Sequence, residues 1–391
     1  MVLINMNNGD GGFVVNPWEV KGDVDYDKLV KEFGVERIDS SVLKRIERNT
    51  KELHFMLRRK VFFAGRDLNW LLDEYEKGNK FFLYTVRALS GKVHLGHLLL
   101  WIFTKWLQDK FGVELWFQFP NEEKVLFKKD LDFKKGNWFM FDNMLDVIAL
   151  GFDPKKTHFI IDTQHADLMY EEACNVSKRI TFSMVKSAFG LGESANAGQI
   201  FYTSMQAVPA FLPSIIKNKK IPCLIPHAID QDVHFRLTRD ILPKLGHYKP
   251  ASIQCLFLPP LNGSNGKMSS SEENGAIYTT DSPDEVKKKV NKYAFSGGKD
   301  TLEEHRKLGG NPDIDISFQY LRMLLEEDDK KLKKIEEDYR SGKLLSGELK
   351  KILIDKVNDF LKEHQKKRKL AEKQIDKFIF KYEKKNFYEN L

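Results

Sequence analysis

Phe81-Phe82-Leu83-Tyr84-Thr85, followed by Val93-His94-Leu95-Gly96-His97 and then the largely apolar run from Leu98 to Lys110, decides the architecture. The first five residues read as a short buried strand, and the run beyond His97 has the length and composition of a helix. His94 and His97 therefore fall where a strand gives way to a helix. At such an N-terminus, free N–H groups and the helix dipole favour phosphate. Gly96 has no side chain and leaves room for a flat base against the backbone. Further on, Gly266-Lys267-Met268-Ser269-Ser270-Ser271 follows Gly263-Ser264-Asn265 in a glycine-rich loop. Its Lys267 is a cation able to meet the same phosphates from the other side as charge develops on them.

Either motif alone is weak. A lone His-x-x-His at a helix start is commonly a cap with a packed imidazole, and a lone Lys-Met-Ser-Ser-Ser is commonly a polar loop. Their order and their settings, a strand-to-helix turn and a loop after the Pro259-Pro260 break, make them one ATP site.

From that turn outward the chain alternates. Glu114 to Phe119 reads as a second strand, a helix ends near Gly151, and strands follow at His158 to Asp162 and Ile221 to Ile225. Such alternation argues an α/β fold with a parallel sheet covered by helices on both faces, ligands lying at the carboxyl ends of its strands. Before it, residues 1–75 read as an N-terminal extension, with a turn at Asn16-Pro17-Trp18 and amphipathic stretches at Asp25 to Phe33 and Ser41 to Arg48. The α/β unit is expected over 76–280. Beyond it, Ser282-Pro283-Asp284-Glu285 has the capping Ser, the first-turn Pro and the Glu of a helix start. Residues 281–391 read as mainly helical, with Leu349, Leu353, Val357 and Leu361 as one packing stripe.

The 391 residues can bury a full core; 42% are hydrophobic and 30% charged, an ordinary balance for a soluble protein. No apolar run spans a bilayer and the polar start lacks the halves of a signal peptide, so no membrane association and a cytoplasmic location are expected. Cys174, Cys223 and Cys255 are scattered and read as free buried thiols, not a zinc or disulfide framework. The formal net charge is +7, and residues 361–391 carry ten Lys or Arg against five Asp or Glu. This basic tail, with Lys366, Lys367, Arg368 and Lys369, reads as a solvated helix face. Phe378, Phe380, Tyr382, Phe387 and Tyr388 among the cations equally suit single-stranded RNA.

The two nucleotide motifs resemble those of the class I aminoacyl-tRNA synthetases. Asn16-Pro17-Trp18-Glu19-Val20, Arg58 to Phe63, Arg66-Asp67, Phe103 to Gln108, Ile229-Asp230-Gln231-Asp232, Phe235-Arg236 and Ala294-Phe295-Ser296-Gly297-Gly298 extend the likeness. Taken together they are similar to the eukaryotic and archaeal type of tryptophanyl-tRNA synthetase, from about Phe13 to past Arg368. The resemblance implies a Rossmann-type catalytic domain, a C-terminal helical anticodon-binding domain and a homodimer. It implies ATP with Mg2+ as a substrate complex, L-tryptophan and tRNA(Trp), the metal being carried in with ATP and not held by a protein cage. His94, His97 and Lys267 are then the catalytic residues, with Arg87, Gly96, Met268, Ser269 and Ser270 completing the ATP contacts. Indole has one N–H donor on an apolar body and needs one or two acceptors. By resemblance, Tyr84 and Gln118 are those acceptors, Glu123 holds the α-ammonium, and Gln206 and Gln231 bind the polar end. Without the resemblance, Tyr84 reads equally as a core tyrosine with a satisfied hydroxyl.

Two stretches depart from the family pattern. Val86-Arg87-Ala88-Leu89-Ser90 stands where Gly-Arg-Gly-Pro-Ser is usual, and Pro120-Asn121-Glu122 where Thr-Asp-Asp is usual. They keep open a weakened or inactive paralogue acting as an RNA-binding protein, alongside a tyrosine-specific relative. A small nucleotidyltransferase sharing His-x-Gly-His needs no helical C-terminal domain of this size.

Overall fold

The computed structural model describes residues 26–89, 91–263, 267–268 and 274–383, with the backbone alone at 14–15 and 20–21. Ser90, Ser269, Ser270, the Asn16-Pro17-Trp18 turn, Phe387 and Tyr388 lie outside the described residues. A seven-stranded sheet organises the fold. Its strands are β1 (Glu36–Arg37), β2 (Phe62–Arg66), β3 (Phe82–Val86), β4 (Leu115–Phe119), β5 (Thr157–Ile161), β6 (Cys223–Ala228) and β7 (Ala251–Cys255), in the order β1-β2-β7-β6-β3-β4-β5. The five from β7 to β5 are parallel, and β1 and β2 add antiparallel at one edge.

The expected strand at Phe81–Thr85 is present one residue later, and the strands read near 114, 158 and 221 are present within one or two residues of their expected starts. Side chains alternate across the sheet as a period of two requires. Leu83, Leu115, Phe117, Phe119, Phe159 and Ile161 enter one core, whereas Phe82, Tyr84, Trp116 and Ile160 enter the core on the opposite face. The strands β1, β2 and β7 were not expected from the sequence. Two strands of the sheet, β1 and β2, come from the segment read as an N-terminal extension, so the sheet is mixed and not wholly parallel.

Helix α1 (Leu95–Phe111) follows β3, starts earlier than expected, and has His94 as its N-cap. Helix α2 (Phe133–Ala149) precedes β5, and α3 (Asp232–Ile241) follows a tight turn after β6. In the C-terminal helices, α4 (Pro283–Tyr293) starts on the capping box formed by Ser282 and Glu285, and α5 (Ser346–Ala371) buries Leu349, Leu353, Val357 and Leu361. Helix α5 lies against α2 and shares one continuous apolar core with it. Asp146 of α2, fully buried, accepts from His364 Nε2 at 2.8 Å and from Arg368 Nε at 3.1 Å.

The tail corrects one reading. Residues 378–380 pair with the outer edge of β5: the Phe159 N–H donates to the Phe378 carbonyl at 2.7 Å, and the Phe380 N–H to the Phe159 carbonyl at 3.0 Å. Phe378 is buried, the Phe380 ring lies 4.7 Å from Trp116, and the Tyr382 hydroxyl bonds Asp167. These rings cover an exposed sheet edge, which would otherwise present unpaired N–H and C=O groups. They are not free to stack on RNA.

Candidate active site

The sheet reverses its direction of winding between β3 and β6, and a ligand crevice is expected beyond the carboxyl ends of those two strands. A cavity of about 610 Å³ opens there, lined by Thr85, Val86 and Arg87 at the carboxyl end of β3 and by Pro226, His227, Ala228, Asp230 and Gln231 at that of β6. His94, Gly96 and His97 at the start of α1 and Lys267 and Met268 of the glycine-rich loop line it too. Two motifs some 170 positions apart meet because the loop leaves after β7 and returns beside the α1 N-cap. The Leu95 N–H donates to Ile277, and the Thr279 N–H to Val93.

On this wall both imidazoles are neutral. Burial first, and then the Arg87 cation, hold His94 and His97 well below the ordinary histidine range. The His94 N–H donates to His97 Nδ1 at 3.2 Å, so the His97 proton resides on Nε2 as a hydrogen-bond donor. The rings stack 3.7 Å apart, and buried His94 Nδ1 has no hydrogen-bond partner among the described residues. A Cβ at Gly96 would lie 3.0 Å from His94 Nδ1, tighter than side chains ordinarily pack, and 3.6 Å from the Met268 Cβ, an ordinary contact. Across the cavity Lys267 Nζ lies 2.5 Å from Asp230 Oδ2, which also accepts from Gln231 Nε2 at 3.2 Å. Arg87 is buried in the wall; burial brings its guanidinium down to about 10, still a cation at neutral pH.

Glu123, Gln206 and Gln231 line the same cavity, with Phe127, Phe235 and Trp101 supplying rings. Glu123 Oε1 is 2.7 Å from Lys124 Nζ, and Gln206 Oε1 has no hydrogen-bond partner among the described residues. Tyr84 and Gln118 are placed differently: both are fully buried behind the wall and do not line the cavity. The Tyr84 hydroxyl lies 2.6 Å from Gln118 Oε1 and 2.9 Å from the Gln206 carbonyl, and its ring packs edge-on to Phe235. Gln118 Nε2 donates to Asp162 at 2.7 Å. One hydroxyl proton thus faces two acceptors, and a further donor can be taken up there. Burial, followed by Glu122, raises Asp162 well above the carboxylate range.

Residues 76–362 match the family model of class I tRNA synthetases (W and Y). The chain belongs to that family. Among curated relatives, the tryptophan–tRNA ligase of Sulfurisphaera tokodaii is 52% identical over 372 residues, covering 95% of this chain and 96% of its own. That of Pyrococcus furiosus is 47% identical, covering 94% of each chain. The solved Plasmodium falciparum tryptophanyl-tRNA synthetase is 42% identical with a TM-score of 0.86, covering 91% of this chain and 98% of that one. A product-bound parasite tRNA synthetase gives 43% and 0.88, covering 91% and 96%.

Within this class I synthetase, sequence reading missed three polar residues at or behind the cavity. Asp230 binds Lys267, Asp162 holds the Gln118 amide, and Asn143 holds Arg87. Asp230 had a signal, since Ile229-Asp230-Gln231-Asp232 is part of the family likeness. Asp162 and Asn143 had none, because their partners lie 44 and 56 positions away. Cys223 and Cys255 are buried free thiols and Cys174 is a half-buried one. No helix of the described residues is long and apolar enough to cross a membrane.

Proposed function

We propose that this chain forms tryptophanyl-adenylate from L-tryptophan and Mg-ATP and transfers the tryptophanyl group to tRNA(Trp). One observation carries the reading: a single cavity is lined by His94, His97, Arg87 and Lys267 together with Glu123, Gln206 and Gln231. Four donors to phosphate thus share one cavity with groups suited to an amino acid's polar end. The tryptophan–tRNA ligase names of relatives at 45–52% identity support tryptophan as the amino acid.

A tryptophan carboxylate oxygen attacks the α-phosphorus in line, the bond to the bridging oxygen breaks, and pyrophosphate departs with its magnesium. Charge gathers on the phosphoryl oxygens, so positioned donors do most of the work. His97 Nε2–H and Arg87 meet these oxygens, and Lys267 exchanges Asp230 for the phosphates. Ser269 and Ser270 would add hydrogen bonds to the bound ATP, and buried Met268 lines the cavity. Glu123 takes the α-ammonium, Gln206 and Gln231 the polar end, and the Tyr84–Gln118 pair accepts the indole N–H. The terminal ribose hydroxyl of tRNA then attacks the acyl carbon, and AMP leaves.

The enzyme works as a cytoplasmic homodimer whose C-terminal region, 281–391, binds the anticodon. Trp138 and Phe141, one turn apart on α2 and 55% and 42% exposed, support a dimer by offering an apolar face to a second copy. Charging assays on tRNA(Trp) and tRNA(Tyr) transcripts test the reading. Tryptophan should be esterified to tRNA(Trp) alone; tyrosine on tRNA(Tyr), or no charging, overturns it.

A further inference from the structure

Arg87 is 8% exposed, yet no carboxylate of the described residues lies within ion-pair distance of its guanidinium, Glu123 and Asp146 acting on it only from further away. Its Nε donates to Asn143 Oδ1 at 2.8 Å, and Nη2 lies 3.5 Å from the Gly91 carbonyl. Asn143, at 0% exposure on α2, uses its whole amide: Nδ2 donates to Gly91 at 3.1 Å and to Phe139 at 2.7 Å. The amide orientation is unambiguous. A flipped amide would set its oxygen against two carbonyls and its N–H2 against the Arg87 N–H. One buried side chain therefore clasps both Arg87 and Gly91 of the loop between β3 and the α1 N-cap. Val86 at the end of β3 and Ala88 in this loop stand where the family pattern has glycines.

We propose that Asn143 is a positioning residue of the adenylate-forming site, a neutral anchor that aims Arg87 into the cavity and leaves its charge for the ATP phosphates. An aspartate at 143 would reach the same Nε but spend that charge on an ion pair, and would lose both donors that hold the loop. The amide gives geometry without neutralisation. The proposal rests on the assignment of the cavity to ATP made above.

Four proteins test it: the parent, Asn143→Asp, Arg87→Gln and the double variant, with Asn143→Ser as a milder second probe. ATP and tryptophan binding are measured separately by calorimetry, and pyrophosphate exchange gives kcat and KM for ATP. Asn143→Asp should lower kcat/KM for ATP roughly ten- to hundredfold, with tryptophan affinity within about twofold of the parent. The double variant should be no worse than Arg87→Gln, because both changes remove one interaction. Asn143→Ser should show the same pattern, weakened. Defects that multiply in the double variant, or tryptophan binding lost together with ATP binding in both Asn143 variants, overturn the proposal. A parent that binds ATP with the same non-additive pattern but exchanges no pyrophosphate with tryptophan contradicts the proposed function instead, and leaves Asn143 in its role.

Discussion

Lys267 Nζ sits 2.5 Å from Asp230 Oδ2, a contact between the glycine-rich loop and the turn that ends β6. Asp230 is buried and Lys267 is partly open to the cavity, so on the proposed function the cation waits beside the place where phosphate charge would develop. Lys267→Ala should lower kcat of tryptophan activation far more than it raises KM for ATP. A charge contact made mainly in the transition state is worth about 2–4 kcal/mol, or roughly two to three powers of ten in rate. Steady-state pyrophosphate exchange reads this directly, and parental kcat would remove Lys267 from the mechanism.

Gln118 tests the amino-acid side. Its amide joins the Tyr84 hydroxyl to Asp162 in a fully buried chain. Gln118→Ala should weaken tryptophan binding by about 1–3 kcal/mol, because a buried donor loses its acceptor. ATP affinity should stay near the parent's. Calorimetric titration of each substrate alone checks both halves, and unchanged tryptophan affinity would contradict the assignment.

The strand-to-helix turn at 82–111 was legible because apolar period, strand length and two histidines beside a glycine all point the same way. β7 was not. Its Ser252 and Gln254 look like loop residues, yet both are buried, and Gln254 Nε2 finds Asp232 at 2.7 Å. β2 follows Arg58-Arg59-Lys60, whose charges mask the strand; in the fold Arg58 and Arg59 turn away to Asp329. The tail was legible in part: Lys366, Lys367 and Lys369 lie on an exposed helix face, one of the two readings, whereas only tertiary structure reveals that Phe378 and Phe380 seal the β5 edge. Of the residues that line the cavity, His94, His97 and Lys267 were readable from motifs and Glu123 from the family resemblance, whereas Asn143 is one of several polar residues on α2 until Arg87 is seen beside it.

The junction of α2 and α5 should matter for stability. Arg368 donates to Asp142 and Asp146 beside His364, and Asp146 has no solvent exposure. Arg368→Ala strips a partner from a buried carboxylate, which typically costs about 3–5 kcal/mol. Urea unfolding monitored by fluorescence should show a lower midpoint with a parental slope. An unchanged midpoint would mean that this cluster is solvated.

His54 gives a pH signature. Its Nδ1 accepts the Met56 N–H at 3.2 Å, and burial, then Arg58, brings the imidazole down to about 4. Above the unfolded value near 6.5 both states are neutral and His54 contributes no pH dependence. Below it the unfolded chain takes a proton that the native imidazole refuses, so stability falls as pH falls toward 4. Between pH 6.5 and 5.5 the loss is about 1 kcal/mol. His54→Asn keeps a capping side chain without the titration, and its stability should fall by that much less over this interval. Parallel slopes in urea unfolding would contradict the shift.

The central claim is that the cavity between β3 and β6 activates tryptophan. Amino-acid-dependent exchange of labelled pyrophosphate into ATP, run on the full chain with each of the twenty amino acids, tests it most directly. Exchange should require tryptophan and be abolished or reduced at least a hundredfold, roughly, by Lys267→Ala. Exchange driven by tyrosine, or by no amino acid at all, would contradict the account.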